Sequence, residues 1–412
     1  MTFTLLTENE FETFVHSQPK TSFEQSLEMA KLRQSRGYKI QFLGFKNGTG
    51  EVTVAALAYS QKLFGGTKME IYWGPVYTSS SYLASFLKEL KHYAKQQNVL
   101  ELAIIPNEVY QLFDNNGEAT SQKNDELMSL YQTCGYTHQG FQTGYDGSQL
   151  FWQYAKDLSH LTPENLRKSY TKKGIPLANK TASFGIKLKK LEKSELHLFK
   201  DITSATSQRR NYADKSLEYY QLFFDAFGDC AEFMLATINF VDYYSNLDKE
   251  QQKLAQKIER LKADLDVNPA SVKKQNQLRE FTDQFNTFTT RKEEAQELIN
   301  QYGEQDTPLA ASLFVYTPQE AVYLYSGSYT EFNRFYAPVA LQEHVMQTAI
   351  SKEIPFYNLL GITGQFDGSD GVLRFKQNFN GYIIRKMGTF LYHPFPIKYR
   401  LIQVMKKILG RR

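Results

Sequence analysis

Between residues 243 and 302 apolar side chains return every three or four positions. Leu247, Leu254, Ile258, Leu261 and Leu265, with Gln251 among them, step along a first run. Leu278, Phe281, Phe285, Phe288, Ala295, Ile299 and Tyr302, with Lys292 among them, step along a second. Asp266-Val267-Asn268-Pro269 interrupts the pattern between the two. Spacing of this kind, with charges elsewhere, calls for a seam between two helices, and so short a connection makes them antiparallel. Residues 247–302 hold ten basic and ten acidic side chains, a balance that argues against a simple RNA-binding paddle. The chain must therefore carry a coiled-coil arm and supply a body for it elsewhere.

The flanks supply that body twice. In the first half, strands at Tyr38–Lys46, Glu51–Gln61 and Lys68–Trp73 are joined by Asn47-Gly48-Thr49-Gly50 and by Gly65-Gly66. Both joins are hairpin signals. A bend at Gly74-Pro75-Val76, a helix at Tyr82–Gln97 and an apolar strand at Val99–Ile105 follow, closed by Pro106. The second half has strands at Ala231–Phe240, Leu309–Thr317 and Ala321–Ser326, a Ser326-Gly327-Ser328 bend, a helix at Pro338–Lys352 and a strand at Phe356–Leu360. From Gly74 to Leu100 is 26 residues; from Gly327 to Tyr357 is 30. The arm stands where the first half has its Asn47–Gly50 turn, and insertions are best tolerated at such tips. The expected class is α/β (α+β): a duplicated unit with a helical hairpin inserted into the second copy. The divisions expected are a first domain at 1–160, a second at 161–242 and 303–395, the arm at 243–302, and a C-terminal helix at 396–412. Further helices are expected at 8–18, capped by Thr7 with Glu10, at Ser22–Arg36, from Pro163, at Glu195–Thr206 and at Ser216–Phe227.

Two cysteines without a CxxC pairing fit a reducing compartment, and the seven histidines show no metal-ligand spacing. The first residues carry no basic segment leading into an apolar run, and no stretch reaches transmembrane length, so a cytoplasmic protein is expected. The 27 Tyr and 30 Phe either fill cores or line sites for rings and bases. Net charge is +4 but uneven: residues 156–200 hold eleven bases against four acids, and 371–412 hold ten bases and no acid. Such clusters suit polyanions, RNA or an anionic membrane surface, as well as plain solvation. The stretch after Pro163 mixes Arg167, Lys168, Lys172 and Lys173 with Tyr170, a weak nucleic-acid signal. At 396–412, Ile397, Leu401, Val404, Met405 and Ile408 share a helix face, with Lys398, Arg400, Lys406, Lys407, Arg411 and Arg412 largely elsewhere. That helix suits an anionic lipid surface and equally suits docking back on the protein.

The candidate site is Gly361–Gly381, with five glycines, Asp367 and Asp370, then Leu373-Arg374-Phe375-Lys376. A glycine-rich loop after a strand lets backbone approach a ligand, and a following lysine is placed to meet an anion. Asp367 and Asp370 are read as loop chemistry, with proton relay as the alternative.

The set Trp73-Gly74-Pro75-Val76, Tyr325-Ser326-Gly327-Ser328, Tyr336-Ala337-Pro338, Phe356-Tyr357-Asn358-Leu359-Leu360-Gly361 and Phe375-Lys376, with the arm between, resembles the Fem/MurM aminoacyltransferases of peptidoglycan interpeptide-bridge synthesis. Within them it looks most like the alanine-adding MurN branch. The resemblance implies two GNAT-like domains, one bearing the coiled coil. It implies transfer from aminoacyl-tRNA, alanyl-tRNA in that branch, to an amine of the stem peptide on lipid II or a UDP-linked muramyl pentapeptide. No metal or coenzyme is implied; peripheral contact with the inner face of the membrane is a separate expectation that rests on the basic C-terminal helix. Residue by residue, Lys376 matches the lysine that handles the tRNA acceptor end or the reaction centre, with Phe375 as its partner. Tyr325 matches a tyrosine near the site. Arg33 falls at a position gripping precursor phosphate, Lys215 where relatives carry arginine for the same phosphates, and Tyr219 follows at the matching spacing. Lys31 and Arg209 are the neighbours a small alignment shift would substitute. Some relatives have an acid beside the proline after the apolar strand; Ile105-Pro106 has none, which leaves the base unassigned.

Two other readings remain open on the residues alone. An acyl-CoA-dependent GNAT N-acyltransferase would show an [RQ]-x-x-G-x-[GA] turn, and this chain has none. A coiled-coil adaptor binding RNA or membrane would not need the aromatic and glycine-rich site. No Ser-His-Asp or Cys-His arrangement is evident, so direct attack on the ester is expected rather than an acyl-enzyme.

Overall fold

The computed structural model describes residues 1–145 and 150–408. The strands of the first half are β1 (Thr2–Leu5), β2 (Lys39–Lys46), β3 (Val52–Leu63), β4 (Gly66–Tyr72), β5 (Val76–Tyr77), β6 (Val99–Ile105), β7 (Val109–Phe113), β8 (Thr137–His138) and β9 (Trp152–Asp157). Those of the second are β10 (Lys187–Lys190), β11 (Ala231–Ile238), β12 (Thr307–Tyr316), β13 (Ala321–Ser328), β14 (Phe356–Gly361), β15 (Tyr382–Lys386) and β16 (Phe390–Tyr392). The helices are α1 (Glu8–Ser17), α2 (Leu27–Ser35), α3 (Ser80–Gln96), α4 (Asp125–Thr133), α5 (Gly174–Ala182) and α6 (Leu196–Arg210). They continue with α7 (Leu217–Phe227), α8 (Phe240–Val267), α9 (Val272–Tyr302), α10 (Ala337–Ser351), α11 (Gly371–Gln377) and α12 (Pro396–Ile408). Arg411 and Arg412 lie outside the described residues.

The duplication is visible in the pairing. β2, β3 and β4 form an antiparallel meander, as do β11, β12 and β13. Each meander leads through a helix, α3 or α10, to a strand that pairs in parallel with its last member, β6 on β4 and β14 on β13. Apolar alternation buries Leu83, Phe86, Leu87, Leu90 and Ala94 of α3 beneath the first sheet. The arm α8–α9 leaves β11 and returns to β12, strands that pair with each other, so it does replace a hairpin turn. Leu247, Leu254 and Ile258 on α8 and Ala295 and Leu298 on α9 are the buried side chains along its seam. Gln251 satisfies its amide inside that seam, donating to the Thr289 hydroxyl at 2.7 Å.

The two sheets also exchange strands. The first runs β1-β2-β3-β4-β6-β16-β8, with β5 on β3; the second runs β10-β11-β12-β13-β14-β9-β15-β7. β7 and β9 thus precede residue 160 yet belong to the second sheet, and β16 comes from the far end of the chain to pair with β6. A linear division at residue 160 cuts across these ladders. The halves touch further through Glu320, whose carboxylate accepts the Phe23 amide at 2.9 Å, and through Gln319, which donates to the His16 and Gln18 carbonyls.

Two local expectations change. Ser22–Arg36 is not one helix: a 3-10 turn at Phe23–Gln25 ends in extended Ser26, whose hydroxyl then caps α2 through the Met29 amide at 3.1 Å. After Pro163 there is a 3-10 turn at Leu166–Ser169, and α5 starts only at Gly174. There Arg167 forks onto Glu343 at 2.6 and 3.0 Å, and Tyr170 is buried against Phe379. A paired arginine and a buried tyrosine do not make the basic–aromatic surface expected at that stretch. Among the described residues no helix is long and apolar enough to cross a membrane.

Candidate active site

Parallel β4 and β6 pair from Thr67↔Val99 to Tyr72↔Ile105, with one register shift between Thr67 and Lys68. β13 and β14 pair only at Ala321↔Tyr357 and Val322↔Asn358, then part. β14 keeps its other neighbour, β9, which it pairs from Phe356↔Asp157 to Gly361↔Gln153 with a register shift after Asn358. Leu360 takes the left-handed conformation, φ 57°, a cost that persists only where the surroundings enforce it. The enforcing contacts are Asn358, whose side-chain oxygen accepts the Leu360 amide at 2.9 Å, and Lys376. On the other arm Gly327 lies so close to α6 that an added Cβ would sit 2.6 Å from the Ile202 carbonyl oxygen.

Lys376 is 3% exposed, and its Nζ donates to the Leu360 and Gly361 carbonyls at 3.0 and 2.6 Å. Burial lowers its pKa to about 7, with Asp370 opposing. It sits in α11 and holds the end of β14 that has parted from β13. Its neighbour Phe375 is half-buried, its ring edge-on to Phe379. Asp370 caps α11, accepting the Val372 and Leu373 amides at 2.8 and 3.1 Å and the Thr363 amide at 2.9 Å. Burial raises its pKa, and those amides outweigh burial, so it stays below the ordinary carboxylate value. Asp367 accepts the Ser369 amide at 2.9 Å. Both aspartates are loop clamps in this geometry.

Beside the fork, cations gather on aromatic rings. Arg33 donates to Glu24 at 3.2 Å and lies 4.3 Å over the Tyr59 ring, and its buried Nε has no partner. Arg36 lies 5.2 Å over the Tyr219 ring and Lys215 5.5 Å over the same ring. Burial, then Arg36 and Arg33, lowers the Lys215 pKa. The Tyr219 and Tyr325 hydroxyls are 3.3 Å apart, which joins this cluster to β13. Lys215, Tyr325, Tyr212 and Ser326 line a small cavity of about 40 Å³ there. The fold thus brings Arg33, Lys215, Tyr219 and Tyr325 together from three parts of the chain.

It does not bring in the two alternates. Lys31 is exposed, and its charge is felt at Cys230. Arg209 donates to the Ser328 carbonyl at 3.0 Å, outside the cluster. Two cations absent from the sequence-based set stand closer. Arg36, at the end of α2, is one. Arg210 is the other, its charge felt by Tyr212, Tyr323 and Tyr145. The basic end of the helix signalled Arg36; nothing in the sequence separates Arg210 from Arg209.

A buried polar network reaches the root of the fork. Asn358 donates to Gln153 at 3.3 Å and lies 3.5 Å from the Glu320 carboxylate. Lys386 donates to the Asn107 carbonyl at 2.7 Å, with its pKa lowered to about 8 by burial and opposed by Glu320 and Glu108. Burial raises the pKa of Glu108, whose Oε2 has no hydrogen-bond partner. Glu108 thus sets a desolvated carboxyl two residues beyond Pro106. Among the described residues no group of three or more His, Cys, Asp or Glu is placed to hold a metal ion.

A model of the FemAB family matches residues 6–407. The chain belongs to that family. As a FemAB protein it is an aminoacyl-transferring enzyme. The aminoacyltransferase FemA of Staphylococcus aureus strain N315 is 28% identical over 422 aligned residues, covering 100% of both chains. The crystal structure of FemX superposes with a TM-score of 0.78 at 20% identity, over 98% of this chain and 100% of that one. A tandem GNAT protein from the clavulanic acid pathway gives 0.50 at 8% identity, over 96% and 99%. These two likenesses establish the FemAB fold as a pair of GNAT-like units.

Proposed function

We propose that this protein moves an amino acid from aminoacyl-tRNA to an amine of the stem peptide on lipid II, or on its UDP-linked precursor, in peptidoglycan interpeptide-bridge synthesis. The observation that carries the reading is the junction of Arg33, Arg36 and Lys215 with the β13–β14 fork through Tyr219 and Tyr325. Two cations over one ring, with Arg33 on the neighbouring Tyr59 ring, suit the diphosphate that both acceptors carry, since charge-assisted bonds to phosphate are the stronger class. The adjoining fork offers unpaired strand edges to the aminoacyl end of the tRNA.

In the reaction the stem-peptide amine attacks the ester carbonyl. A C–N bond forms, the bond to the ribose oxygen breaks, and one proton passes from the amine to that oxygen. Much of the acceleration comes from holding amine and ester together. Lys376 contributes by fixing Leu360 and Gly361 at the lip of the fork. We assign Arg210, whose charge reaches Tyr145 and Tyr323, to the acceptor-end phosphate. Glu108, buried and inclined to hold its proton, is the carboxyl best suited to proton transfer. We assign alanine as the amino acid on the MurN resemblance alone.

The test is transfer of labelled amino acid from alanyl-, seryl- and glycyl-tRNA to lipid II, with acetyl-CoA as a rival donor. Alanine transfer in excess of the other two supports the assignment. Transfer from acetyl-CoA with none from tRNA would overturn the reading.

A further inference from the structure

The helix α12 has two faces, and the face that is apolar is not the one that holds it to the protein. Ile402 is buried at 7% exposure against Gly65 of the β3–β4 turn. The Tyr399 hydroxyl donates to Glu101 at 3.3 Å, and the Tyr399 ring lies 3.9 Å from that of His393. Lys398 reaches Asn98 at 3.4 Å. These contacts fix the helix from one side.

On the other side Ile397, Leu401, Val404, Met405 and Ile408 are exposed by 76, 60, 54, 45 and 78%. Their spacing of four, three, one and three residues is that of a single stripe along a helix. Phe64, 67% exposed, and Leu63, 38% exposed, extend this apolar surface from the turn on which Ile402 packs. Large apolar side chains in one continuous patch mark an interaction surface. Exposed Lys398, Arg400 and Lys407 flank the stripe. The stretch 371–412 holds ten bases and no acid, and the nearby Glu101 is engaged by Tyr399 and Lys68.

We propose that α12 and the Leu63–Phe64 tip dock this protein on an anionic lipid surface. An apolar stripe between rows of cations is the pattern of a helix lying in the plane of a bilayer, where apolar side chains enter the acyl boundary and cations meet headgroup phosphates. The charge decides between occupants. A second copy meeting this face about a two-fold axis would set its own Arg400 and Lys407 against those of the first, like against like. An anionic bilayer meets both stripe and flanks with complementary chemistry. The proposal goes beyond the transfer reading and stands without it, because docking is measured with no substrate present.

Flotation of the full-length chain with mixed phosphatidylcholine–phosphatidylglycerol vesicles, and with phosphatidylcholine alone, tests it. Binding should be at least about tenfold tighter on the anionic vesicles and should weaken as salt rises. The triple variant Leu401→Ser/Val404→Ser/Ile408→Ser should lose that binding by about tenfold or more, with an unchanged melting temperature. Arg400→Glu/Lys407→Glu changes two exposed side chains and should lose the anionic preference, so it stands in if the triple variant misfolds. Phe64→Ser should weaken binding less. Equal affinity for both vesicle types, or full binding by the triple variant, would overturn the proposal. So would a dimer in sedimentation that the triple variant abolishes while vesicles go unbound.

Discussion

β4 and β6 stay zipped to their ends, from Thr67 to Tyr72 on one strand, whereas β13 and β14 part after Val322 and Asn358. The two pairs occupy the same place in a duplicated unit. In the first, backbone groups satisfy one another, and the strands serve as a wall beneath Leu83, Phe86 and Leu87. In the second, β14 keeps β9 but parts from β13, and the carbonyls of Leu360 and Gly361 accept from a lysine side chain. One copy keeps the ladder and gains stability. The other gives up part of it and gains an opening lined by Tyr325, with cations close by. A buried carbonyl without a partner is costly, so the opening can exist only because Lys376 is there.

The sharpest way to break this contrast is Lys376→Ala. Transfer should fall by roughly a hundredfold or more, the scale of misplacing reacting groups by about an ångström. The fold should weaken as well, by about 1–3 kcal/mol for each carbonyl left unpaired. Normal turnover in a chain-labelling assay would mean that the fork does not depend on this lysine.

Next in size is Arg36→Ala. KM for the lipid-linked acceptor should rise about tenfold with kcat nearly unchanged, as for loss of one charge-assisted contact made in ground and transition states alike. A fall in kcat at constant KM would move Arg36 from the acceptor to the reaction centre.

A smaller effect follows from the buried lysine itself. In the unfolded chain Lys376 keeps its proton to about pH 10.4; in the fold it releases it near pH 7. Between those values the unfolded state binds more protons, so stability rises with pH, by at most about 1.4 kcal/mol per pH unit for this one group. Lys156, lowered to about 8 by burial, adds to the same trend above that pH. Denaturant titrations at pH 7 and pH 8 should show the rise, and Lys376→Met should flatten it. An equal slope in the variant would assign the effect to other groups.

The smallest effect tests the closed pair. Ile71 on β4 is fully buried. Ile71→Val should cost about 0.5–1.5 kcal/mol of stability and leave kcat and KM within a factor of about two. A marked loss of turnover would show that the first unit also shapes the reaction centre.

Legibility followed the range of the interactions. The arm, the hairpins and the strand at Val99–Ile105 were readable because periodicity and turn chemistry are local. The duplication was readable because each copy repeats those local signals in the same order. The exchange of β7, β9 and β16 was not, because nothing in five apolar-rich residues says which of two sheets they join. Arg33, Lys215 and Tyr219 came from a family resemblance, and the fold brings them together. Lys376 was picked out, but its burial was not, since its carbonyl partners are offered by a strand fork that pattern alone cannot show. Arg210 and Glu108 were passed over for the same reason: their surroundings are built by tertiary packing.

The exchanged strand β16 also bears on how the protein is made. The first sheet needs Phe390–Tyr392 to cover β6 and to seat β8. Those residues leave the ribosome after β10 to β15 and the arm. The first half therefore cannot finish its sheet while those elements are still being translated. Its β6 edge waits, open, for a strand that follows them in sequence. Closing the first sheet is in that sense a late step, taken by a strand made after the second sheet's own.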